Sequence, residues 1–381
     1  MYSILIFSPH YCLQEEIRAC KKNYSTNMKE NLFGKSLDEL TSLVKDPGLP
    51  GFAARQISDW LYVKGVDSID KMTNLSKSAR TDLSEKYNIV RQPHKTVQVS
   101  TDGTRKYLFP AGEGRFVEAV YIPEKERATL CLSSQVGCKM GCLFCMTGQQ
   151  GFQGQLSAGD IINQFTSLPE KEKISNIVYM GMGEPFDNLE NVLKSLDILT
   201  SPWGYGMSPR RITVSTIGII PAMKEFLDRS GAHLAVSLHS PFEEDRKRLM
   251  PVESVYSLRD VIQTVRAFDW GRQRRISFEY IMFRGINDTD RHVSGIIKLL
   301  NGIRCRVNLI RFHSIPDCTL QSSEESVIIE FRDKLSAKGV VTTIRASRGE
   351  DILAACGLLS TKELSQKVQD SKTQSPDSPN P

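Results

Sequence analysis

Residues 137–148 read GCKMGCLFCMTG, and the fold turns on how the three cysteines in it are read. Cys138, Cys142 and Cys145 are separated by gaps of three residues and then two. A structural zinc ion wants four ligands, which local Cys/His clusters normally supply in pairs. No neighbouring cysteine or histidine completes the set here. Thiolates also suit iron–sulfur ligation. A [4Fe–4S] cluster held by only three cysteines keeps one iron open for a small molecule. A zinc site that recruits the distant His239 or His313 is the competing reading.

On the C-terminal side of this stretch a βα rhythm begins. Strand-like ISNIVYMG, RRITVSTI, HLAVSLH, RISFEYIMF and CRVNLIRF are each followed by an amphipathic helical segment, and VVTTIRA closes the series. Ser157 to Asp160 form a capping-box pattern ahead of IINQF. Repeated βα units predict a parallel sheet, open or closed into a barrel, with its site at the C-terminal ends of the strands. On the N-terminal side, KTVQVSTDGTRKYLFP turns on Asp102-Gly103 as a hairpin, and FVEAVYIP with ATLCLSSQ forms a second pair. Further upstream, KSLDELTSLVKD, AARQISDWLYVK and SKSARTDLSEKY carry helical periodicity, predicting a small helical domain over 28–90. The catalytic domain is expected over 91–359, and a Ser/Pro/Gln-rich disordered tail over 360–381. Residues 1–27 differ in character and precede Met28, a candidate translation start.

The composition is that of a soluble globular protein, and no apolar run approaches the ~20 residues needed to span a bilayer. The start lacks a basic n-region and a small-residue cleavage site, which argues against a secretory signal. With nine cysteines, three of them clustered, the chain reads as a cytoplasmic protein with metal-binding or catalytic thiols, not a disulfide framework. Net charge is +5, but basic stretches recur at 208–211, 271–275, 304–312 and 344–348. Flanking apparent strands, they are expected to gather on one rim and favour a polyanionic partner.

The C-x3-C-x2-C spacing resembles that of the radical S-adenosylmethionine (SAM) superfamily. TLCLSSQVGCKMGCLFCMTGQQGF, GMGEP, VSTIG, AVSLHS and RASRGEDILAACG follow in one order. Together they resemble the RlmN/Cfr family of radical SAM RNA methyltransferases, over roughly residues 28–359. The resemblance implies a partial (β/α)6-type barrel with hairpin extensions and a small N-terminal helical domain. It implies a [4Fe–4S] cluster on Cys138, Cys142 and Cys145, and two SAM molecules per turnover. Cofactor contacts carry over to Gly183, Glu184, Ser215, Ser237, Leu238 and His239. Where many relatives place an asparagine that touches SAM, this chain has His313. Cys356 matches the family's methyl carrier, Cys131 its second catalytic cysteine, and Glu118 its proton acceptor. Read alone, Cys131 and Cys356 pass for core cysteines, and Glu118 for a strand carboxylate facing solvent.

The substrates the resemblance implies are an adenosine of 23S rRNA, methylated at C2, and the adenosine beside the anticodon of some tRNAs. It also implies a low-potential electron donor such as flavodoxin or ferredoxin, a disulfide between Cys131 and Cys356 during turnover, and a monomer with no membrane association. Rival readings are methylation at adenine C8, a non-catalytic RNA-binding module with a structural metal, and a radical SAM enzyme acting on a small molecule.

Overall fold

The computed structural model describes residues 29–45, 48–271 and 274–361. The proposed start at Met28 lies outside them, as does the tail beyond Thr361. The chain divides into two compact units, one built on Leu37–Val90 with the residues up to Phe33, the other on Arg91 onward with Gly34–Ser36.

The first unit packs helices Leu37–Leu43, Phe52–Ser58 and Lys77–Lys86 around Leu40, Ile57, Leu61, Tyr62 and Leu83, all essentially inaccessible to solvent. Ser76 caps the last helix by accepting the Ala79 N–H at 3.1 Å. A short parallel ladder, β1 (Glu30–Asn31) with β2 (Tyr87–Asn88), joins the two ends of the unit. Two residues a strand are too few for alternation to reveal, and periodicity missed them.

The second unit is a single ten-stranded sheet. Its antiparallel part is β3 (Thr96–Val99), β4 (Arg105–Pro110) and β5 (Phe116–Pro123), and β5 runs antiparallel to β6 (Ala128–Cys131). After β6 the chain makes a two-residue ladder, β7 (Gln135–Val136) with β8 (Gly154–Gln155), which closes the base of the cysteine loop. The parallel part then adds β9 (Asn176–Tyr179), β10 (Ile212–Thr216), β11 (His233–Ser237), β12 (Ile276–Met282), β13 (Cys305–Arg311) and β14 (Val341–Ile344). Each new strand lies beside the one before it, from β6 to β14. Six βα steps and a closing strand make the expected partial barrel, with β14 and β3 as its open edges.

The helices between strands bury one stripe each. Leu189–Thr200 turns Val192, Leu193, Leu196 and Leu199 to the sheet, and Leu258–Ala267 turns Leu258, Val261, Ile262 and Val265. The capping box forms as read: Ser157 Oγ accepts the Asp160 N–H at 3.1 Å, while Asp160 accepts the Ser157 N–H at 3.1 Å. Helix Glu243–Leu249, from EEDRKRL, had no apolar period to announce it.

The parallel topology corrects the expectation of one basic rim. Arg210, Arg211, Arg274, Arg275 and Arg304 precede their strands, whereas Arg345 and Arg348 follow theirs and Arg311 ends β13. The arginines therefore divide between the two ends of the barrel. Arg274 is structural, donating to the Leu227 and Ala232 carbonyls at 2.7 and 2.9 Å.

Candidate active site

Gly137 opens the cysteine loop with φ of +70°, and a Cβ there would lie 1.7 Å from the Gly151 carbonyl oxygen, so only glycine fits. Cys145 then caps the short helix Met146–Gln150, and its N–H bonds back to the Cys142 carbonyl at 3.2 Å. The final segment of the unit lies against this loop. Met146 N–H donates to the Gly357 carbonyl at 2.8 Å, and Thr147 Oγ1 donates to the Leu359 carbonyl at 2.6 Å. Cys356 is thereby fixed beside the loop by backbone bonds rather than by its own side chain.

These pieces enclose a cavity of about 180 Å³ at the C-terminal ends of the parallel strands. Cys138, Cys142, Cys145, Cys131 and Cys356 line it, as do Gly183, Glu184, Ser215, Ser237 and His239. Cys131 and Cys356, 225 positions apart in sequence, thus converge, which supports reading them as more than packing. Burial pushes the thiols of Cys131 and Cys138 up to about 12, and raises those of Cys142 and Cys145. Without a metal all four are protonated thiols at neutral pH.

Glu184 follows GMG, whose glycines let the turn press against the end of β6. A Cβ on Gly181 would meet the Leu132 carbonyl oxygen at 2.7 Å, and one on Gly183 the Gln135 side chain at 2.5 Å. The glycines serve this protein contact first. Glu184 accepts Thr216 Oγ1 at 2.7 Å and the N–H groups of Phe186 and Ile217 at 3.0 Å each. Burial outweighs these donors and pushes its carboxyl up to about 7. His239, at φ of +52°, accepts the Ile281 N–H on Nδ1 at 3.0 Å, which leaves the ring proton on Nε2. Burial, helped by the Arg246 charge, pushes this imidazole down to about 3.

Three expected contacts stand differently. Leu238 is wholly buried in the core between Ser237 and His239, so its side chain is not offered to a cofactor. His313 is not among the lining residues; its Nε2 pairs with Ser347 Oγ at 3.1 Å, and Glu350 lies 3.9 Å from Nδ1. Glu118 faces no solvent, being 6% exposed. It sits two residues before the lining residue Val120 on the same face of β5, held by Lys106 Nζ and the Ser360 N–H at 3.1 Å each. Burial raises its carboxyl against the pull of Lys106. Ser360 and Thr361, assigned to the tail from sequence, are instead tied into the unit, Thr361 through Gln150 and the Phe116 carbonyl.

Sequence reasoning passed over several residues here. Arg246 is wholly buried, paired with Glu253 and donating to the Ile217 and Ser237 carbonyls at 2.8 and 3.1 Å. It lies in the charge run EEDRKRL, which carries no apolar period to mark an inward face. Asn287 fastens the His239 turn through bonds of 2.7 Å to the His239 and Ile281 carbonyls. Glu279 and Arg345 line the cavity too. The signal for Glu279 was present, a lone carboxylate inside the apolar strand ISFEYIM.

Comparison with known proteins decides the family. Residues 132–294 match the radical SAM superfamily, and residues 30–89 match the ribosomal RNA large subunit methyltransferase N-terminal domain. A probable dual-specificity RNA methyltransferase RlmN of Parabacteroides distasonis is 55% identical over 333 residues, covering 87% of this chain and 97% of its own. The chain belongs to the RlmN family. The Syntrophus aciditrophicus RlmN is 43% identical across 89% of this chain and 98% of its own. A radical SAM methyltransferase from Sphaerobacter thermophilus has the same fold, with a TM-score of 0.80 at 36% identity over 87% of this chain and 99% of its own.

Proteins of the radical SAM superfamily use a [4Fe–4S] cluster and SAM, and the RlmN residues here fit both. The three loop thiols share one cavity and feel one another's charge. Yet among the described residues no three Cys, His, Asp or Glu side chains close on a single point as one metal ion requires. Sulfurs spread around a shared space suit a cuboidal cluster better than zinc. Of the two histidines a zinc reading would recruit, His313 does not line the cavity and is paired with Ser347. Among the described residues no helix is long and apolar enough to cross a membrane.

Proposed function

We propose that this RlmN-family enzyme methylates C2 of an adenosine in 23S rRNA and of the adenosine beside the anticodon in some tRNAs. One observation carries the reading. Cys131 and Cys356, separated by most of the catalytic unit, line the same cavity as the three loop cysteines and the strand-end residues Glu184, Ser215 and Ser237. A radical SAM enzyme acting on a small molecule would have no use for that second pair.

C2 of adenine lies between two ring nitrogens and is too electron-poor to attack a methyl group as a nucleophile. A carbon radical can add to it. When bound, the cluster supplies the electron that splits SAM into methionine and a 5′-deoxyadenosyl radical. Cys138, Cys142 and Cys145 would hold the cluster, and Glu184, Ser215, Ser237 and His239 would orient SAM, His239 by donating from Nε2.

Cys356 carries the methyl group. Its sulfur accepts the methyl by displacement and later presents it, less the hydrogen atom taken by the deoxyadenosyl radical, as the carbon that joins adenine. Glu118 accepts the C2 proton, a role that a carboxyl raised by burial favours. Once the adduct has also given up one electron, Cys131 attacks the Cys356 sulfur, breaking its bond to the methylene carbon, which keeps the electron pair and takes a proton to become the methyl group. The disulfide left behind must afterwards be reduced. That need for reduction suits a cytoplasmic enzyme, and the reading includes a low-potential donor such as flavodoxin or ferredoxin and a monomeric state. The target base must leave its stack to enter so enclosed a site.

Anaerobic reconstitution with iron, sulfide and SAM, followed by nucleoside mass spectrometry of an rRNA fragment, tests the proposal. The expected product is 2-methyladenosine. The 8-methyl isomer would transfer the assignment to Cfr-type chemistry, and unmodified RNA from a fully loaded enzyme would refute both.

A further inference from the structure

Glu279 stands at the middle of β12, between Ser237 on one neighbouring strand and Asn308 on the other. It is 4% exposed and lines the cavity. Oε1 is fully used, accepting Ser277 Oγ at 3.0 Å and Asn308 Nδ2 at 2.8 Å. Thr343 donates to the Asn308 Oδ1 at 2.7 Å, which fixes the way that amide points. Oε2 is buried and makes no hydrogen bond among the described residues. The Arg345 guanidinium forms an ion pair with it at 3.7 Å, too far for a hydrogen bond, and donates instead to the Met180 sulfur at 3.3 Å.

A buried carboxylate oxygen left without a hydrogen-bond donor is costly. A fold keeps such an atom where a ligand completes it. The ligand that fits must offer a donor to Glu279 and, beside it, an acceptor to Arg345. Arg345, Cys356 and Cys131 line the same cavity.

We propose that Glu279 and Arg345 read the Watson–Crick edge of the extruded adenine, the carboxylate accepting from the N6 amine and the guanidinium donating to N1. Adenine alone among the purines presents a donor beside an acceptor in this order. Guanine presents O6 and N1–H, which would set acceptor against carboxylate and donor against guanidinium. The edge also sets the target. C2 follows N1 around the ring, so a base held this way has C2 at Arg345, next to the two cysteines. Had the pair read N6 and N7, C8 would stand there instead. The inference rests on the C2 assignment above and adds how the base is selected and turned.

The test uses reconstituted holoenzyme and an RNA hairpin carrying adenosine, purine riboside, 1-deazaadenosine or 7-deazaadenosine at the target. RNA affinity and methyl transfer are measured for wild type and Glu279→Gln. Purine riboside, lacking N6, and 1-deazaadenosine should each bind roughly 10-fold or more weakly to wild type, and 7-deazaadenosine should match adenosine. Glu279→Gln should bind adenosine no better than purine riboside while keeping its SAM affinity, a coupling that general damage to the fold would not produce. Wild type that treats adenosine and purine riboside alike overturns the proposal, whatever the variant does. So does sensitivity to 7-deaza in place of 1-deaza, or a loss of SAM affinity in Glu279→Gln that matches its loss of RNA affinity. An 8-methyl product would defeat the parent C2 reading, whereas 2-methyladenosine formed with indifference to N6 would defeat this inference alone.

Discussion

Cys356 and Cys131 share a side chain but differ in setting. Cys131 is locked in a strand with its thiol raised to about 12, whereas Cys356 is held only by the bonds of its neighbours. Cys356→Ala should therefore still cleave SAM, seen as 5′-deoxyadenosine release, while RNA methylation falls to background. Cys131→Ala should instead accumulate a protein–RNA adduct, visible as a shifted band on a denaturing gel. His239 makes a separate prediction about pH. Its proton binds near 6.5 in the unfolded chain but only near 3 in the folded one, because burial disfavours the imidazolium. Its contribution to stability is complete above 6.5 and declines as pH falls toward 3, by up to about 1.4 kcal/mol per pH unit. Glu184 slopes the other way, since its raised carboxyl opposes folding as pH climbs through 7. The clean measurement is thus the difference between wild-type and His239→Asn denaturation curves, expected to widen from pH 5 to pH 7. At this scale the cysteine triad was legible because its meaning lies in local spacing. Glu279, Arg246 and Arg345 were not, because what a buried charge does depends on partners supplied by other strands.

Among the elements, the cysteine loop has the least freedom. Gly137→Ala would place a methyl group 1.7 Å from a carbonyl oxygen in a backbone conformation that alanine resists. The expected result is a protein with an intact barrel by circular dichroism but little iron after reconstitution. The helix behind the loop tests an ordinary cap. Ser157→Ala removes one half of the box with Asp160 and should cost about 1 kcal/mol, seen as a Tm lower by about 2 °C or more. Such a cap was readable because it needs only residues three apart. The hairpin at Asp102-Gly103 and the βα alternation were readable for the same reason. Helix Glu243–Leu249 was hidden because its inward residues are Arg246 and Leu249, and a buried arginine looks like an exposed one in sequence. The two-residue ladders were too short to carry any period.

Across the whole catalytic unit, sequential strand order places the C-terminal ends of the parallel strands at one opening, so residues from widely separated segments meet without the chain crossing itself. The basic stretches could not be assigned to that opening from sequence, since strand direction decides the end on which each falls. The longest ties run between the first hairpin and the last loop. Asp351 accepts Ser100 Oγ at 2.6 Å and the Thr101 N–H at 3.1 Å, Asp102 accepts the Gly349 N–H at 3.1 Å, and Lys106 reaches the Leu353 carbonyl at 3.3 Å. Asp351→Ala should loosen the loop that carries Cys356. Methylation is expected to slow several-fold while 5′-deoxyadenosine release persists, and equal losses in both would count against this role. These ties join positions some 250 residues apart, so they form only after nearly all of the catalytic unit has been synthesised. A nascent or clipped chain that ends before Gly349 would keep the cysteine loop and lack Cys356, the proposed methyl carrier. On the proposed mechanism, methyl transfer is withheld until the two extremities of the unit are joined, so only a completed polypeptide can modify its substrate.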